Sequence, residues 1–402
     1  MMALGGLALL LVMGAVLRAV VTREPLADSL VSPTSFFFSL GLLYASSLGF
    51  AGVVLGTSLL VCARLLPRPE PSVLRSFPLA VGVIGVIIVA RPWYPTSWDE
   101  FVWLAKARFE SLEFGAGVRA ALDAGAHLVP AGYPPLWPSA VGWIALGEDR
   151  LETHVVAAAL LVVLCVATAA EAWVTLLRDS LKWPVALSLL IAAPFVWVHA
   201  RLVYVDLPIG LLGLAVLGFL LTDRLALACV VAVSMAGFKD EGLAHVLAAT
   251  LGALAVKGLR KTSLPWLLPA FLAGVAVVTW RWLLARHGVV VVDHALSAPA
   301  FSWASTFGEL LLHHASDVST WGVFWAVALG VFFSATSSEQ SRALRWALLA
   351  GFGFVAVALF FGPERVRVFA ENGTLLNRLL VQLWPTAAVM ISVKLASPTA
   401  TS

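Results

Sequence analysis

Residues 225–256 run LALACVVAVSMAGFKDEGLAHVLAATLGALAV, two apolar stretches that meet at Lys239-Asp240-Glu241. Three charges in the middle of a bilayer would be costly, so the triplet cannot lie at the centre of one long membrane helix. We therefore interpret the stretch as two short membrane helices whose junction lies near one face. The same alternation of apolar runs and polar connections continues in both directions along the chain.

Composition supports a membrane protein. Of the 402 residues, 60% are hydrophobic and 12% are charged, whereas soluble domains have about 45–50% and about 25%. These values exclude a soluble enzyme, a disordered chain and a secreted disulfide scaffold. A net charge of +3 over this length also argues against a nucleic-acid partner. We predict an integral, all-α membrane protein.

A helix needs about 20 apolar residues to cross a bilayer. Together with the pair at 225–256, the runs that meet this need predict about twelve transmembrane helices in one polytopic domain over residues 1–398. The other runs are 3–21, 36–62, 77–91, 153–177, 183–199, 207–221, 264–284, 321–335, 344–361 and 375–395. Residues 134–147 begin with two prolines and are too short to cross, which predicts a juxtamembrane helix.

Lysine and arginine in short connections predict the orientation. With the N-terminus inside, the inner connections are short and basic, and both chain ends lie inside. These connections are 63–76, 178–182, 222–224, 257–263 and 336–343. The outer side then has the long segments 92–152, 285–320 and 362–374.

The polar motifs fall on this outer side. Asp99-Glu100 follows the third span, and neighbouring carboxylates at a membrane edge suit a general base, although an acidic helix start is the alternative. Asp206 could equally be a helix cap. Lysine is a common partner for phosphate, which favours a functional Lys239. For Arg378 the alternative is snorkelling.

The order of these motifs resembles the GT-C glycosyltransferases, which include the protein O-mannosyltransferases and the aminoarabinose transferase of lipid A. The resemblance covers roughly residues 75–390. It rests on Trp98-Asp99-Glu100-Phe101, Tyr133-Pro134-Pro135-Leu136, Tyr204-Val205-Asp206-Leu207-Pro208, Lys239-Asp240-Glu241-Gly242, and Arg378-Leu379-Leu380 with Pro385.

The resemblance implies a sugar transferase for hexoses or pentoses, acting outside a bacterial inner membrane. The donor would be a polyprenyl-phosphate sugar, and the acceptor a lipid, glycan or protein. Asp99 would be the base, with Glu100 beside it. The donor would contact Tyr133, Arg201, Asp206, Lys239, Glu241 and Arg378. No cofactor is expected, although a divalent metal ion bridging Asp99 and Asp206 is an alternative.

Two other function classes stay open. A secondary transporter or flippase for a lipid or polar solute would suit the broken helices at 225–256. The clustering of charge near one face, with no matching interruption elsewhere, argues against it. A non-catalytic partner in polysaccharide assembly would use the acidic pair as an interface.

Overall fold

The computed structural model describes residues 2–47, 98–123, 132–173, 176–177, 194–201, 203–258, 261–291, 299–335, 338–372 and 374–395. Within these ranges the chain forms helices and no strand. The predicted span 77–91, most of the spans 36–62 and 183–199, and the start of the loop 92–152 lie outside the described residues.

The helices fall into three groups along the chain. The first two groups are α1 (Met2–Thr22), α2 (Leu26–Leu30) and α3 (Ser35–Ser47), then α4 (Trp98–Leu112), α5 (Ala116–Leu122) and α6 (Leu136–Ile144). The third begins with α7 (Leu151–Trp173), α8 (Pro194–Arg201), α9 (Asp206–Leu221), α10 (Leu225–Phe238), α11 (Glu241–Lys257) and α12 (Leu268–Arg286). It ends with α13 (Ala304–Ser316), α14 (Val318–Trp321), α15 (Phe324–Phe333), α16 (Glu339–Phe361), α17 (Glu364–Glu371) and α18 (Thr374–Leu395). Short 3-10 turns precede α12 and α13.

Several helices are long and apolar enough to cross a membrane. Among the described residues there are five, at Gly5–Thr22, Leu151–Trp173, Leu264–Arg286, Glu339–Phe361 and Leu375–Leu395. Helix α12 leaves large apolar side chains such as Phe271 and Val278 exposed, as a lipid-facing helix would. The all-helical architecture agrees with the predicted class of helical membrane protein.

Helices α9 and α10 form the centre of the fold. Nearly all of their residues are buried, between α7, α11, α12 and α18. The absence of a side chain at Gly210 lets α9 approach α18 closely, because a β-carbon there would overlap the backbone of Gln382. This close approach brings the start of α9 next to the start of α18.

Helices α10 and α11 meet where the charge triplet predicts a break. Helix α10 ends at Phe238, and α11 begins at Glu241. Lys239, between them, has extended backbone geometry, which ends the helical hydrogen bonding. A short helix is also present within residues 134–147, as α6, a nine-residue helix with every residue buried, and its position beside a membrane stays a prediction.

One carboxylate ties α4, α5 and α6 into a single unit. Glu110, which is buried, accepts hydrogen bonds from the backbone N–H of Gly115 at 2.6 Å and of Gly117 at 2.8 Å. It also accepts from Trp143 Nε1 at 2.7 Å. Gly115 has a φ of 75°, which favours glycine at the turn between α4 and α5. Helices α4, α5 and α6 thus form one layer held together at Glu110.

Lys106 in this layer gives a pH-dependent prediction. Burial lowers its pKa to about 8, from 10.5 for an exposed lysine. Between these pH values the unfolded chain holds the proton and the folded chain does not, so the free energy of unfolding rises with pH. We expect Lys106→Met to stabilise the protein at neutral pH, by up to about 3 kcal/mol, since each unit of pKa corresponds to about 1.4 kcal/mol.

Thermal unfolding in detergent checks this expectation. The midpoint of the native protein should rise toward that of Lys106→Met as the pH increases through this window. A constant difference between the two proteins would contradict it.

The direction of helix α1 relative to α7 differs from the predicted one. A β-carbon at Gly6 would overlap the backbone of Ile144, just before α7 begins, whereas Arg18 contacts Glu171 near the end of α7. Helix α1 therefore runs parallel to α7, where the predicted topology has them antiparallel. The number of spans and the side on which each chain end lies stay predictions, because they also depend on residues outside the described part of the chain.

The physical reason lies in the charges. The apolar run at 3–21 has no charge before Arg18, so nothing at its beginning anchors it to one side. The observed direction places Arg18 at the end of α9 away from Asp206, beside Arg224, which contacts the same carboxylate of Glu171. Basic residues then gather at one end of the described helices, which is the pattern that the positive-inside rule describes.

Candidate functional site

Asp206 is the centre of the candidate site. It is the first residue of α9, where the helix dipole favours a carboxylate, and its side chain is fully buried. Its Oδ1 accepts from Lys239 Nζ at 3.2 Å and from Gln382 Nε2 at 2.8 Å, and its Oδ2 accepts from Arg378 Nε at 2.8 Å. We call Asp206, Lys239, Glu241, Arg378 and Gln382 the Asp206 cluster.

The two cations of the cluster differ in accessibility. Lys239 is 4% exposed, forms a second ion pair with Glu241 at 2.9 Å, and lies over the ring of Tyr133 at 5.4 Å from the ring centre. Arg378 is 25% exposed and lies over the ring of Tyr204 at 4.9 Å. Of these two cations, Arg378 is the one exposed enough to meet a ligand directly.

The protonation states of the site follow from its surroundings. Burial opposes the charge on Lys239, but the carboxylates of Asp206 and Glu241 outweigh it and raise the pKa of the ammonium group. Burial raises the pKa of Tyr133 to about 12. At neutral pH Lys239 is therefore charged, and Tyr133 is a neutral phenol that can donate a hydrogen bond.

Gln382 links Asp206 to His245. Because the amide nitrogen of Gln382 donates to Asp206, its Oε1 faces His245 Nε2, at 2.9 Å. His245 must therefore donate from Nε2, which sets its tautomer. This relay fixes one oxygen of Asp206 from the side of α11 and α18.

Glu100 has a structural contact. It is buried, and its Oε1 accepts the backbone N–H of Val203 at 2.9 Å, while Trp137 Nε1 donates to the carbonyl of Val203 at 3.1 Å. The segment that leads into Asp206 is thus held by α4 on one side and α6 on the other. Glu100 positions backbone, and its predicted part in proton transfer stays a prediction.

Helix α12 contacts residues next to two members of the site. Trp280 Nε1 donates to the carbonyl of Gly132 at 3.2 Å, next to Tyr133. Its neighbour Arg281 forms an ion pair with Asp240, between Lys239 and Glu241. Consecutive residues of one helix therefore position the aromatic ring and the cation that lie against each other.

The structure brings five of the eight predicted residues together directly, namely Tyr133, Asp206, Lys239, Glu241 and Arg378. Glu100 contacts the backbone of Val203, which precedes Asp206 by three residues. Asp99 is in the first turn of α4, and Arg201 is the last residue of α8. The side chains of Asp99 and Arg201 lie outside the described part of the structure.

Sequence reasoning missed several members of the site. Gln382 is four residues after Arg378, on the same face of a helix, and that spacing could have identified it. His199 is buried beside Tyr204, with ring centres 5.4 Å apart, and the charge of Asp206 reaches it. No local pattern marks His245 or His199, because each is a single histidine in an apolar run.

The described residues include no group of three or more His, Cys, Asp or Glu side chains that could hold a metal ion. Comparison with known proteins found no matching family model, curated protein or solved structure. The site is therefore interpreted from its own geometry.

Proposed function

We propose that this chain is a GT-C-type membrane glycosyltransferase. It moves a sugar from a polyprenyl-phosphate donor to a lipid, glycan or protein acceptor at the face that carries the Asp206 cluster, outside a bacterial inner membrane. One observation carries the proposal: a buried carboxylate holds two cations at a helix start, and one of them, Arg378, is partly exposed. That arrangement provides a preorganised positive group for a phosphate in a site of low polarity.

The proposed reaction forms one bond and breaks one. The acceptor oxygen or nitrogen bonds to the anomeric carbon of the sugar, and its proton passes to Asp99. The bond between the anomeric carbon and the phosphate oxygen breaks, and its electron pair stays on the lipid phosphate. Attack from the face opposite the phosphate inverts the configuration of the sugar.

The cations have separate roles in this proposal. Arg378 contacts the departing phosphate, whose negative charge grows in the transition state. Lys239 is too buried to do so and instead holds Asp206 and Glu241 in place. Arg201 remains a further proposed donor contact, and Tyr133 offers its ring and phenol to the sugar. A divalent ion between Asp99 and Asp206 is the alternative to a metal-independent reaction.

The test is donor consumption by the purified full chain. Native protein, Arg378→Gln and Arg119→Gln are each mixed with a panel of radiolabelled polyprenyl-phosphate sugars, and the lipid fraction is extracted. Arg119 is the matched control, because it is exposed and its described contacts are an ion pair with Glu113 and a hydrogen bond to the carbonyl of Phe114. We expect Arg378→Gln to lower consumption by about a hundredfold or more, as for loss of one transition-state hydrogen-bond donor.

The panel also separates the function classes. Equal consumption by native protein and Arg378→Gln would remove Arg378 from the chemistry. If folded native protein neither binds nor consumes any donor, the enzyme proposal fails for those donors. Uptake of a labelled solute into vesicles without donor would then favour the transporter.

A further inference from the structure

A second buried group of charges lies at the far end of α9 from Asp206. Glu171 Oε1 accepts from Arg18 Nη1 at 3.1 Å and from Arg224 Nη2 at 3.0 Å. Its Oε2 accepts from Ser32 Oγ at 2.7 Å and from Thr34. Helix α9 has 16 residues, so Arg224, just beyond its end, is roughly 24 Å from Asp206. The two groups are therefore separate.

The two arginines of this group have hydrogen-bond donors that lack partners within the described structure. The side chain of Arg18 is 0% exposed and that of Arg224 is 4% exposed. Within the described structure, Arg18 Nη2 and Arg224 Nε and Nη1 are buried and have no hydrogen-bond partner. Each buried donor without a partner costs about 1–3 kcal/mol. Two guanidinium groups that contact the same carboxylate therefore carry three donors without partners, and an oxyanion is a strong acceptor for such donors.

A helix start lies at the same place. Helix α10 begins at Leu225, directly after Arg224, and no side chain caps its N-terminus. The free N–H groups and the dipole of this 14-residue helix favour a negative charge beside Arg224. The arginines and the helix start thus provide independent reasons for an anion at this end of α9.

Glu24, together with Glu171, balances the positive charges of Arg18 and Arg224. Its Oε2 accepts from Arg18 Nε at 2.7 Å, while its Oε1 is buried without a partner in the described structure. Glu24 lies in the short connection between α1 and α2, so it belongs to neither helix. With Glu24 in place two arginines face two glutamates, and without it the group has a net charge of +1.

We propose that this group is a second anion site, which takes a phosphate group with a single negative charge in place of the Glu24 carboxylate. The phosphate belongs to a membrane-lipid headgroup or to a free phosphate ion. It receives hydrogen bonds from Arg18 and Arg224 and restores the charge balance. Because it lies on the face opposite the Asp206 cluster, the site does not depend on the proposed glycosyltransferase activity.

Calorimetric titration of the full chain in detergent with inorganic phosphate tests the site. We expect Arg224→Gln to weaken phosphate binding at least about tenfold, and Glu24→Gln to strengthen it about tenfold, which corresponds to about 1.4 kcal/mol each. The gain in Glu24→Gln is decisive, since a purely structural ion-pair network gives no such gain. Arg119→Gln, on the outer surface, should bind as the native protein does.

A second arm distinguishes the two sources of phosphate. The native protein and the same variants are reconstituted in vesicles of phosphatidylcholine alone or mixed with phosphatidic acid, and thermal unfolding is measured. Stabilisation by phosphatidic acid that increases in Glu24→Gln identifies a lipid headgroup, whereas titration in detergent alone identifies the free ion. If folded Glu24→Gln shows no gain in either arm, the proposal is wrong.

Discussion

Replacing Asp206 with asparagine is expected to lower the stability of the protein by about 3–5 kcal/mol, the cost of removing one partner from a buried ion pair. Lys239 and Arg378 would lose their shared acceptor, and Lys239 is too buried to find water instead. Sugar transfer should be lost as well, because Arg378 would no longer be held. Chemical or thermal unfolding in detergent and donor consumption measure the two effects.

Two companion variants make this prediction specific. Asp149→Asn removes an exposed ion pair with Arg108, and exposed pairs are worth about 0–1 kcal/mol. Combining Asp206→Asn with Lys239→Met should recover part of the stability but no activity, because the buried ammonium that lost the Asp206 carboxylate is gone. Native-like unfolding of Asp206→Asn would show that the carboxylate does not support the fold.

Asp99→Asn is expected to lower the rate of sugar transfer by about 10²–10⁴-fold, the range for loss of a general base. The unfolding temperature should stay as in the native protein. Donor binding should remain, since the proposed phosphate contact is Arg378. A rate within a fewfold of the native value would remove Asp99 from its proposed role.

Glu100 provides the matched comparison. Glu100→Gln keeps an oxygen that can accept the N–H of Val203, whereas Glu100→Leu leaves that buried N–H without its partner, at a cost of about 1–3 kcal/mol. A positioning role predicts native-like stability in Glu100→Gln and lower stability in Glu100→Leu. A proton-transfer role predicts equal losses of rate in both.

The sequence predicts those parts of the fold that depend on local energetics, such as the cost of placing charges inside a membrane helix. Three charges in an apolar run force the break between α10 and α11, and two prolines begin the short helix α6. The direction of α1 was mispredicted because no charge precedes Arg18. Local chemistry determines where helices begin and end, but the direction of an uncharged run depends on its distant partners.

The candidate site likewise divides into residues that the sequence singles out and contacts that it does not predict. Asp206, Lys239 and Arg378 could be selected singly, since a charge is conspicuous in an apolar chain. Their shared contact could not be derived, because Gln382 and Arg378 are more than 170 residues from Asp206. The contact of Glu100 with a backbone N–H at Val203 leaves no pattern in side-chain chemistry. Tertiary contacts of this kind need coordinates.

Asp206 accepts hydrogen bonds from donors in distant parts of the chain, and this has a consequence for biosynthesis. The chain emerges from the ribosome from the N-terminus, so α9 with Asp206 enters the membrane before α18 with Arg378 and Gln382. Until then the carboxylate has Lys239 as its cation within the cluster, and two of its three donors are missing. Insertion of the last helix completes the site, so a nascent chain cut before residue 374 holds its central carboxylate only in part.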